Sequence, residues 1–465
     1  MSGFAPGDAS LKVIWRLTWP QMIMMLFHFL IGFTDVWVAG RIHPDVQASL
    51  GLVTQCLFFL LVVAVATANA AVAAVSQAIG AGMADRARRY VGLVLVGGTL
   101  MGALLALVGY VLREPFLKLL MVPEQILPIT SYFWDVYLFG LPANYLFTIS
   151  NAVFRARKEV LVPLVTMIAV CVVNAVADMG FGLGLWGLPN YGAQGVAWAT
   201  FSSVLLGAII NVVMLRRTGL MRRSSLPRWR WVKYGAPSLM RVAAPAGAMQ
   251  LLWHLGYLVL FVITGALPVD AINALAGLTA GMRVESILFL PAFAFNMSAS
   301  VLVGHFVGAG QKAEAKRVGL VLLGAGCGLM STCAVFLWPW IPELSAFLAP
   351  DPAVQAQTIK YLRYNVLSIP FTVASMTLGG IMTGAGAAMY NFIVYSSATW
   401  LVRLPMAWLL GHVLWRDASG VFIAMLVSQM FQSSVMFWLF MYKDWSRFSL
   451  IRRTTANGAP KESRL

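Results

Sequence analysis

The chain is written twice. Gly80-Ala81-Gly82 and the run Val91-Gly92-Leu93-Val94-Leu95 return about 227 residues later as Gly308-Ala309-Gly310 and Val318-Gly319-Leu320-Val321-Leu322. Pro20 with Gly40 recurs as Pro245 with Gly265, and Pro142 as Pro370, so the register holds along most of both halves. A duplicated chain folds as two similar units. Two copies of one membrane half-bundle around a shared cleft are the architecture of a secondary transporter.

The two units belong in lipid. Of 465 residues 60% are hydrophobic and 11% charged, against about 25% charged in soluble domains, and no single core could hide so much apolar surface. A membrane helix needs roughly 20 apolar residues. Such stretches fall at 14–39, 47–76, 91–112, 127–153, 160–187 and 192–215, then at 240–265, 270–306, 317–340, 354–384, 389–412 and 418–442. The expected fold is therefore an all-α membrane protein of twelve transmembrane helices in two pseudo-symmetric six-helix lobes around a central cleft. The lobes occupy 1–215 and 240–442, joined by a basic linker at 216–239 and followed by a tail at 443–465 that reads as disordered.

Twelve spans leave both termini on one side. About 25 of the 33 Lys and Arg fall in the tails and in the loops after even-numbered helices, which by the positive-inside rule makes both termini cytoplasmic. The formal charge of +16 is thereby explained by topology, and no nucleic acid partner is implied. The partner is lipid, in the linker's case anionic headgroups. Cys56, Cys171, Cys327 and Cys333 lie inside predicted spans without paired spacing, so they read as small apolar residues and not as a disulfide framework. The first apolar stretch is too long for a signal-peptide core and is expected to be retained. Helices 2 and 8 exceed the bilayer thickness and must tilt, kink or project. Pro20, Pro142, Pro245, Pro291, Pro370 and Pro405 interrupt spans, some at matched places in the two copies.

Carboxylates inside spans are the best guide to chemistry. Asp35, Asp178 and Glu285 lie within them and Asp135 nearer an outer end. An Asp at a helix centre costs about 2.5–3.5 kcal/mol to insert, so it faces a cavity, finds a partner or takes up a proton. Asn174 and Asp178 share one face of helix 5. With Asp35 on helix 1, Asn151 on helix 4 and Thr200 on helix 6 they supply carboxylate, amide and hydroxyl oxygens, suited to a proton network or to a small hard cation such as sodium at Asp35, Asn174, Asp178 and Thr200. The plainer alternative is that Asn151 and Thr200 bond neighbouring helices and that Asp35 sits among headgroups. At an offset of 225 residues Asp35 corresponds to Leu260, and helix 11 carries Arg403 and Pro405 where helix 5 has its Asn and Asp. The ion site is therefore expected in the first half.

The second half has Arg283 and Glu285 on helix 8, and two alternatives stand for Glu285: a structural pairing with Arg403 or Arg283, or a second proton or substrate site. Phe33, Trp37, Trp198, Trp253 and Tyr257, with Met22, Met24 and Met25, are aromatic and flexible apolar residues able to hold organic cations, although such residues also face lipid or pack between helices. Phe33, Trp37, Trp253, Tyr257, Glu285 and Arg283 are the expected lining of the substrate cleft. His254 on helix 7 reads as hydrogen-bonded packing.

Several motifs exclude other chemistry. Gly182-Leu183-Gly184-Leu185-Trp186-Gly187 matches GxGxxG but follows no strand, so no dinucleotide is implied. GxxxxGK[ST], HExxH and GxSxG do not occur, so neither a nucleotide-driven pump nor an enzyme is expected, and no cofactor.

The motifs together resemble the multidrug and toxic compound extrusion (MATE) family over about residues 10–442. They are Pro20 with Asp35, Ser76-Gln77-Ala78-Ile79-Gly80-Ala81-Gly82, Asn151-Ala152-Val153-Phe154-Arg155, Asn174 with Asp178, and Gly195-Val196-Ala197-Trp198-Ala199-Thr200. The second half adds Arg283-Val284-Glu285-Ser286 leading to Pro291, and Val303-Gly304-His305 before Gly308-Ala309-Gly310. The resemblance implies a secondary active multidrug exporter in the plasma membrane, a bacterial inner membrane, acting as a monomer. It implies exchange of a proton or sodium for a small-molecule substrate, an amphipathic organic cation or similar toxic compound, by alternating access. Within the DinF-like branch the cation site carries over to Asp35, Asn174, Asp178, Asn151 and Thr200, with a bend near Pro20. A NorM-type branch has carboxylates on helices 7 and 10, where this chain has about Trp253 and Thr372. The helix 4 motif also departs, with Phe154-Arg155-Ala156-Arg157 where a Gly commonly follows the Arg. One charge crossing 100 mV supplies about 2.3 kcal/mol, enough to drive export. The rival readings are a lipid-linked oligosaccharide flippase of the same superfamily, which would want a more cationic cleft, and a membrane-embedded enzyme.

Overall fold

Twelve long helical rods, with short helices such as Arg113–Leu119 and Ile341–Leu348 between them, dominate the described chain, which in this computed structural model comprises residues 10–221, 225, 227 and 229–451. The first six are α1 Leu11–Ile42, α2 Pro44–Gly80, α3 Ala84–Val111, α4 Leu127–Ala156, α5 Leu161–Gly182 and α6 Ala193–Arg217. The second six are α7 Trp229–Gly265, α8 Ala271–Gly308, α9 Lys312–Leu337, α10 Pro352–Gly384, α11 Ala388–Leu414 and α12 Ala418–Tyr442. Eleven are long and apolar enough to cross a membrane; α4 falls short in apolarity though not in length, at 30 residues. The chain is an integral membrane protein.

The repeated Gly-Ala-Gly is a helix stop. Gly82 and Gly310 take φ of +75° and +76°, a conformation that favours glycine, immediately after α2 and α8. Met83 N–H then donates to Ala78 O and Gln311 N–H to Phe306 O, both at 2.9 Å, closing each helix with a Schellman turn.

The preceding glycines, Gly80 and Gly308, join the halves. A Cβ on Gly80 would lie 2.1 Å from His305 O, and one on Gly308 2.1 Å from Gln77 O. Backbone meets backbone there because neither position has a side chain. Gln77 Nε2 donates to Gly384 O at 2.8 Å, and His305 Nε2 donates to Ala156 O at 2.8 Å. The same offset of 228 residues separates Gln77 from His305, Gly80 from Gly308 and Ala156 from Gly384. The two copies therefore clasp each other through equivalent positions, at the end of the bundle where α1 begins and α12 ends. We call this end the terminal face.

Two segments differ from the sequence reading. α7 starts at Trp229, inside the expected linker, because Trp231 packs edge-on against Tyr90 of α3 (centroids 5.3 Å) and Leu239 is buried in the first-half core. The tail is ordered as far as Ile451: Trp445, Leu450 and Ile451 are all buried. Arg222, Arg223 and Arg228 of the linker and positions 452–465 of the tail lie outside the described residues.

Candidate functional site

In the first half, four helices bring polar side chains to one level. Asp35 lies seven residues before the end of α1, Thr200 seven residues after the start of α6, and Asp178 opens the last turn of α5. Asp35 and Thr200 sit about two turns, and Asp178 about one turn, inside the face opposite the termini. The last turn of α5, Asp178–Gly182, is a π-helix, the local widening often found where a helix presents a functional side chain.

Asp178 and Asn174 flank Asp35, and Thr200 Oγ1 reaches Asp35 Oδ2 at 3.3 Å while also contacting Val196 O at 3.2 Å. Asn174 and Asp178 are wholly buried and Asp35 is 8% exposed. Val38 and Val196, about one turn from Asp35 and Thr200 on their helices, belong to one buried apolar cluster. Asp35 Oδ1, both oxygens of Asp178 and both polar atoms of the Asn174 amide are buried without a hydrogen-bond partner. Among the described residues no Lys, Arg or His pairs with either acid.

Buried polar atoms without partners are rare because each costs about 1–3 kcal/mol. Two like charges 4 Å apart, at an effective dielectric of about 20, repel by about 4 kcal/mol. One positive charge between the acids, as a proton or a monovalent cation, removes the repulsion and occupies the orphaned oxygens. No group of three or more His, Cys, Asp or Glu converges among the described residues. Two carboxylates with neutral oxygens around them therefore match a singly charged guest better than a divalent one.

Tyr137 of α4 is the member that sequence reasoning missed. Its phenol faces Thr200, Asp35 and Asp178, completing the cluster from the fourth helix. Asn151, by contrast, is not brought to this group. It lies five residues from the terminal end of α4, where its Oδ1 accepts from Asn211 Nδ2 at 2.8 Å. Asn211 is eleven residues from Thr200 on α6, about 16 Å along the helix.

Pro20 sits in α1 between two ties to the other half. Thr18 Oγ1 and Gln21 Nε2 reach Ser298 Oγ of α8 at 3.0 and 2.8 Å.

The second half builds its own buried cluster from α7, α8, α10, α11 and α12. Glu285 accepts a hydrogen bond from the Tyr361 hydroxyl, with Asn365 alongside. Arg403 is 2% exposed; its Nε donates to Ser428 Oγ at 2.9 Å and its guanidinium lies over the Tyr257 ring at 5.6 Å. Glu285 and Arg403 border one cavity without forming an ion pair within 4.0 Å, and Arg403 Nη1, Asn365 Oδ1 and Gln429 Oε1 around it are orphaned. The direct Glu285–Arg403 contact weighed from sequence is thus replaced by a Tyr361 bond and a shared cavity. Arg283 points the other way and is exposed.

The expected cleft aromatics are dispersed. Phe33 and Trp37 are exposed on α1, with the Arg41 guanidinium 4.3 Å over Trp37. Trp253 meets His254 edge-on and Tyr257 at a tilt, and Tyr257 is buried beneath Arg403. Trp198 donates to the Tyr132 hydroxyl at 2.9 Å. His254 packs on Phe58 of the first half, centroids 3.7 Å apart.

The MatE family profile matches residues 20–179 and 245–409, one block in each half. The chain is 24% identical to the probable multidrug resistance protein NorM of Thermotoga maritima, over 95% of this chain and 94% of that one. It is 27% identical to the multidrug resistance protein PmpM of Pseudomonas aeruginosa, over 88% and 85%. Among solved structures, the Vibrio cholerae MATE transporter VcmN in its bent form superposes with a TM-score of 0.85 at 22% identity, covering 94% of this chain and 98% of that one. An outward-facing multidrug resistance MATE family transporter superposes at 0.84 with 18% identity, covering 95% and 97%. These likenesses establish a shared fold.

Proposed function

This chain belongs to the MatE family, and we propose that it is a secondary active exporter that exchanges a proton or sodium ion for small toxic compounds, amphipathic organic cations foremost. The relatives' names, NorM and PmpM multidrug resistance proteins, support the substrate class. The observation that carries the coupling is the pair of buried acids, Asp35 and Asp178, set side by side among orphaned oxygens and without a base.

The exchange follows from charge. A cation entering from the face opposite the termini neutralises Asp35 and Asp178 and draws Asn174, Thr200 and Tyr137 around it. Asp35 is on the same helix as Pro20, whose missing N–H weakens α1 locally. Closing the site bends α1 there, loosening the Thr18 and Gln21 ties to Ser298 and changing the cleft that holds the substrate. Release of the cation on the other side reverses the bend. The excess of basic residues on the terminal face supports a reading in which that face lies in the cytoplasm of a bacterial inner membrane, with the two halves, the second beginning at α7, moving against each other in a monomer.

The test is efflux of a fluorescent cation from vesicles under an imposed pH gradient or an imposed sodium gradient. Transport should follow one gradient alone and vanish in Asp35→Asn. Gradient-driven transport that survives in Asp35→Asn refutes the assignment.

A further inference from the structure

The last described residues leave their own half of the molecule. Trp445, in a single helical turn spanning Trp445–Phe448, stacks on Phe440 of the second-half core at 5.7 Å and donates its indole N–H to Phe440 O at 3.0 Å. A few residues on, Leu450 and Ile451 are 6% and 4% exposed in the first-half core, in the cluster that holds Ala87, Tyr90 and Val91 of α3. Leu450 N–H and the Ser449 hydroxyl donate to Gln77 Oε1 at 2.8 and 3.1 Å, and Arg86 Nη2 donates to Leu450 O at 3.4 Å. The same Gln77 amide donates from Nε2 to Gly384 O. The segment passes so close over the end of α10 that a Cβ on Gly386 would lie 2.6 Å from Phe448 O. One side chain, Gln77, thus ties α2 of the first half, α10 of the second and this segment.

We propose that residues 445–451 are a strap that locks the terminal ends of the two halves together and that must detach from the first half before that face can open. The inference rests on the transporter reading above. Alternating access requires α2 to part from α8 and α10 at the terminal face, which breaks the clasp around Gln77. Seven residues span at most about 24 Å when extended, and these are coiled and anchored at both ends. The strap cannot stay seated in both cores while the halves separate. Its two apolar side chains are the larger part of its hold on the first half, because each loses most of its contact with water there.

The experiment reads opening directly. Ser76 is wholly buried, its Oγ facing Gly304 across the clasp. Ser76→Cys, in a chain whose four native cysteines are changed to Ser, reports access of an impermeant thiol reagent from the terminal face of inverted vesicles. Leu450→Asp with Ile451→Asp should raise the labelling rate about tenfold or more; an unchanged rate in the folded protein overturns the strap. Should that pair fail to fold, Arg86→Cys with Ser449→Cys bridged by a short bis-maleimide, matched to the reach of the Arg86 side chain, keeps the fold and pins the strap. Bridged protein should cease transport, and full-rate transport with the bridge formed overturns the proposal. Labelling needs no substrate, so absence of transport in the unbridged protein with its native strap counts against the exporter reading and leaves the labelling rates to decide the strap.

Discussion

The two buried polar clusters occupy equivalent places in the two copies but carry opposite arithmetic. Arg403 stands where the offset of 225 residues places the counterpart of Asp178, Leu260 where it places that of Asp35, and Asn365 lies 228 residues after Tyr137. The first half has two acids and no base; the second has one acid, Glu285, and one base, Arg403, facing a common cavity. A cluster that balances its own charge needs nothing from outside. A cluster that does not is completed by a guest. Duplication supplied two similar frames; on the proposed reading the first takes a cation, whereas in the second an acid and a base border one cavity without forming an ion pair.

The comparison breaks most decisively in transport. Asp35→Asn and Asp178→Asn should each reduce gradient-driven efflux to background, while Glu285→Gln keeps its dependence on the gradient; equal loss in all three, measured in the same vesicles, would erase the distinction. Next in size is stability. Arg403→Met leaves Glu285 buried with no base across the cavity and should lower stability, with part of the loss recovered when Glu285→Gln is added. Thermal unfolding in detergent checks this. In the first half Asp35→Asn and Asp178→Asn should stabilise or leave the melting point unchanged, because each removes one of two like charges.

Smaller effects test the symmetric parts. Gly80→Ala and Gly308→Ala should each destabilise the closed terminal face by about 1–3 kcal/mol and by nearly the same amount, since both Cβ atoms would strike the opposite copy's backbone at 2.1 Å. Accessibility of a terminal-face cysteine would show unequal effects if the clasp were lopsided. The smallest concerns Asp417, which caps α12 by accepting from Ser419 N–H at 3.2 Å, whereas the equivalent residue before α6 is Gly192. Burial works to raise the pKa of Asp417, but the Ser419 bonds and Lys360 outweigh it and hold the carboxyl below its ordinary range. Its contribution is therefore complete above the ordinary carboxylate pKa and fades as pH falls through the lowered one. Asp417→Ala should cost about 1 kcal/mol at neutral pH and nothing in strong acid, read from melting temperatures at the two pH values.

The duplicated motifs made the twelve rods and their pairing legible, because Gly82 and Gly310 punctuate the chain at the same register. Asp35, Asn174, Asp178 and Thr200 were legible as one group from polarity inside apolar spans. Asn151 joins them in the sequence reading through its amide oxygen and the family resemblance, although its closeness to the terminal end of α4 was available and sets it at the other depth. Tyr137 was hidden in an aromatic run, Phe133, Trp134 and Tyr137, where nothing but the fold distinguishes a phenol turned to acids from one turned to lipid. The strap was missed because polarity after Lys443 outweighed two apolar residues, Leu450 and Ile451, whose partner surface exists only after both halves have packed.

α4 is the one rod among the described residues that does not reach the apolarity of a free-standing span. It carries Asp135, held by Arg113 at 2.5 Å, and Tyr145, whose hydroxyl donates to Leu60 O of α2. Its polar groups are tolerable because α2, α3 and α6 enclose them. During synthesis α4 therefore enters the bilayer as a client of the helices made before it, and its last wall arrives only when α6 is complete. Substitutions that loosen α2 or α3 should show first as failed insertion of α4, before any loss of ion exchange can be measured.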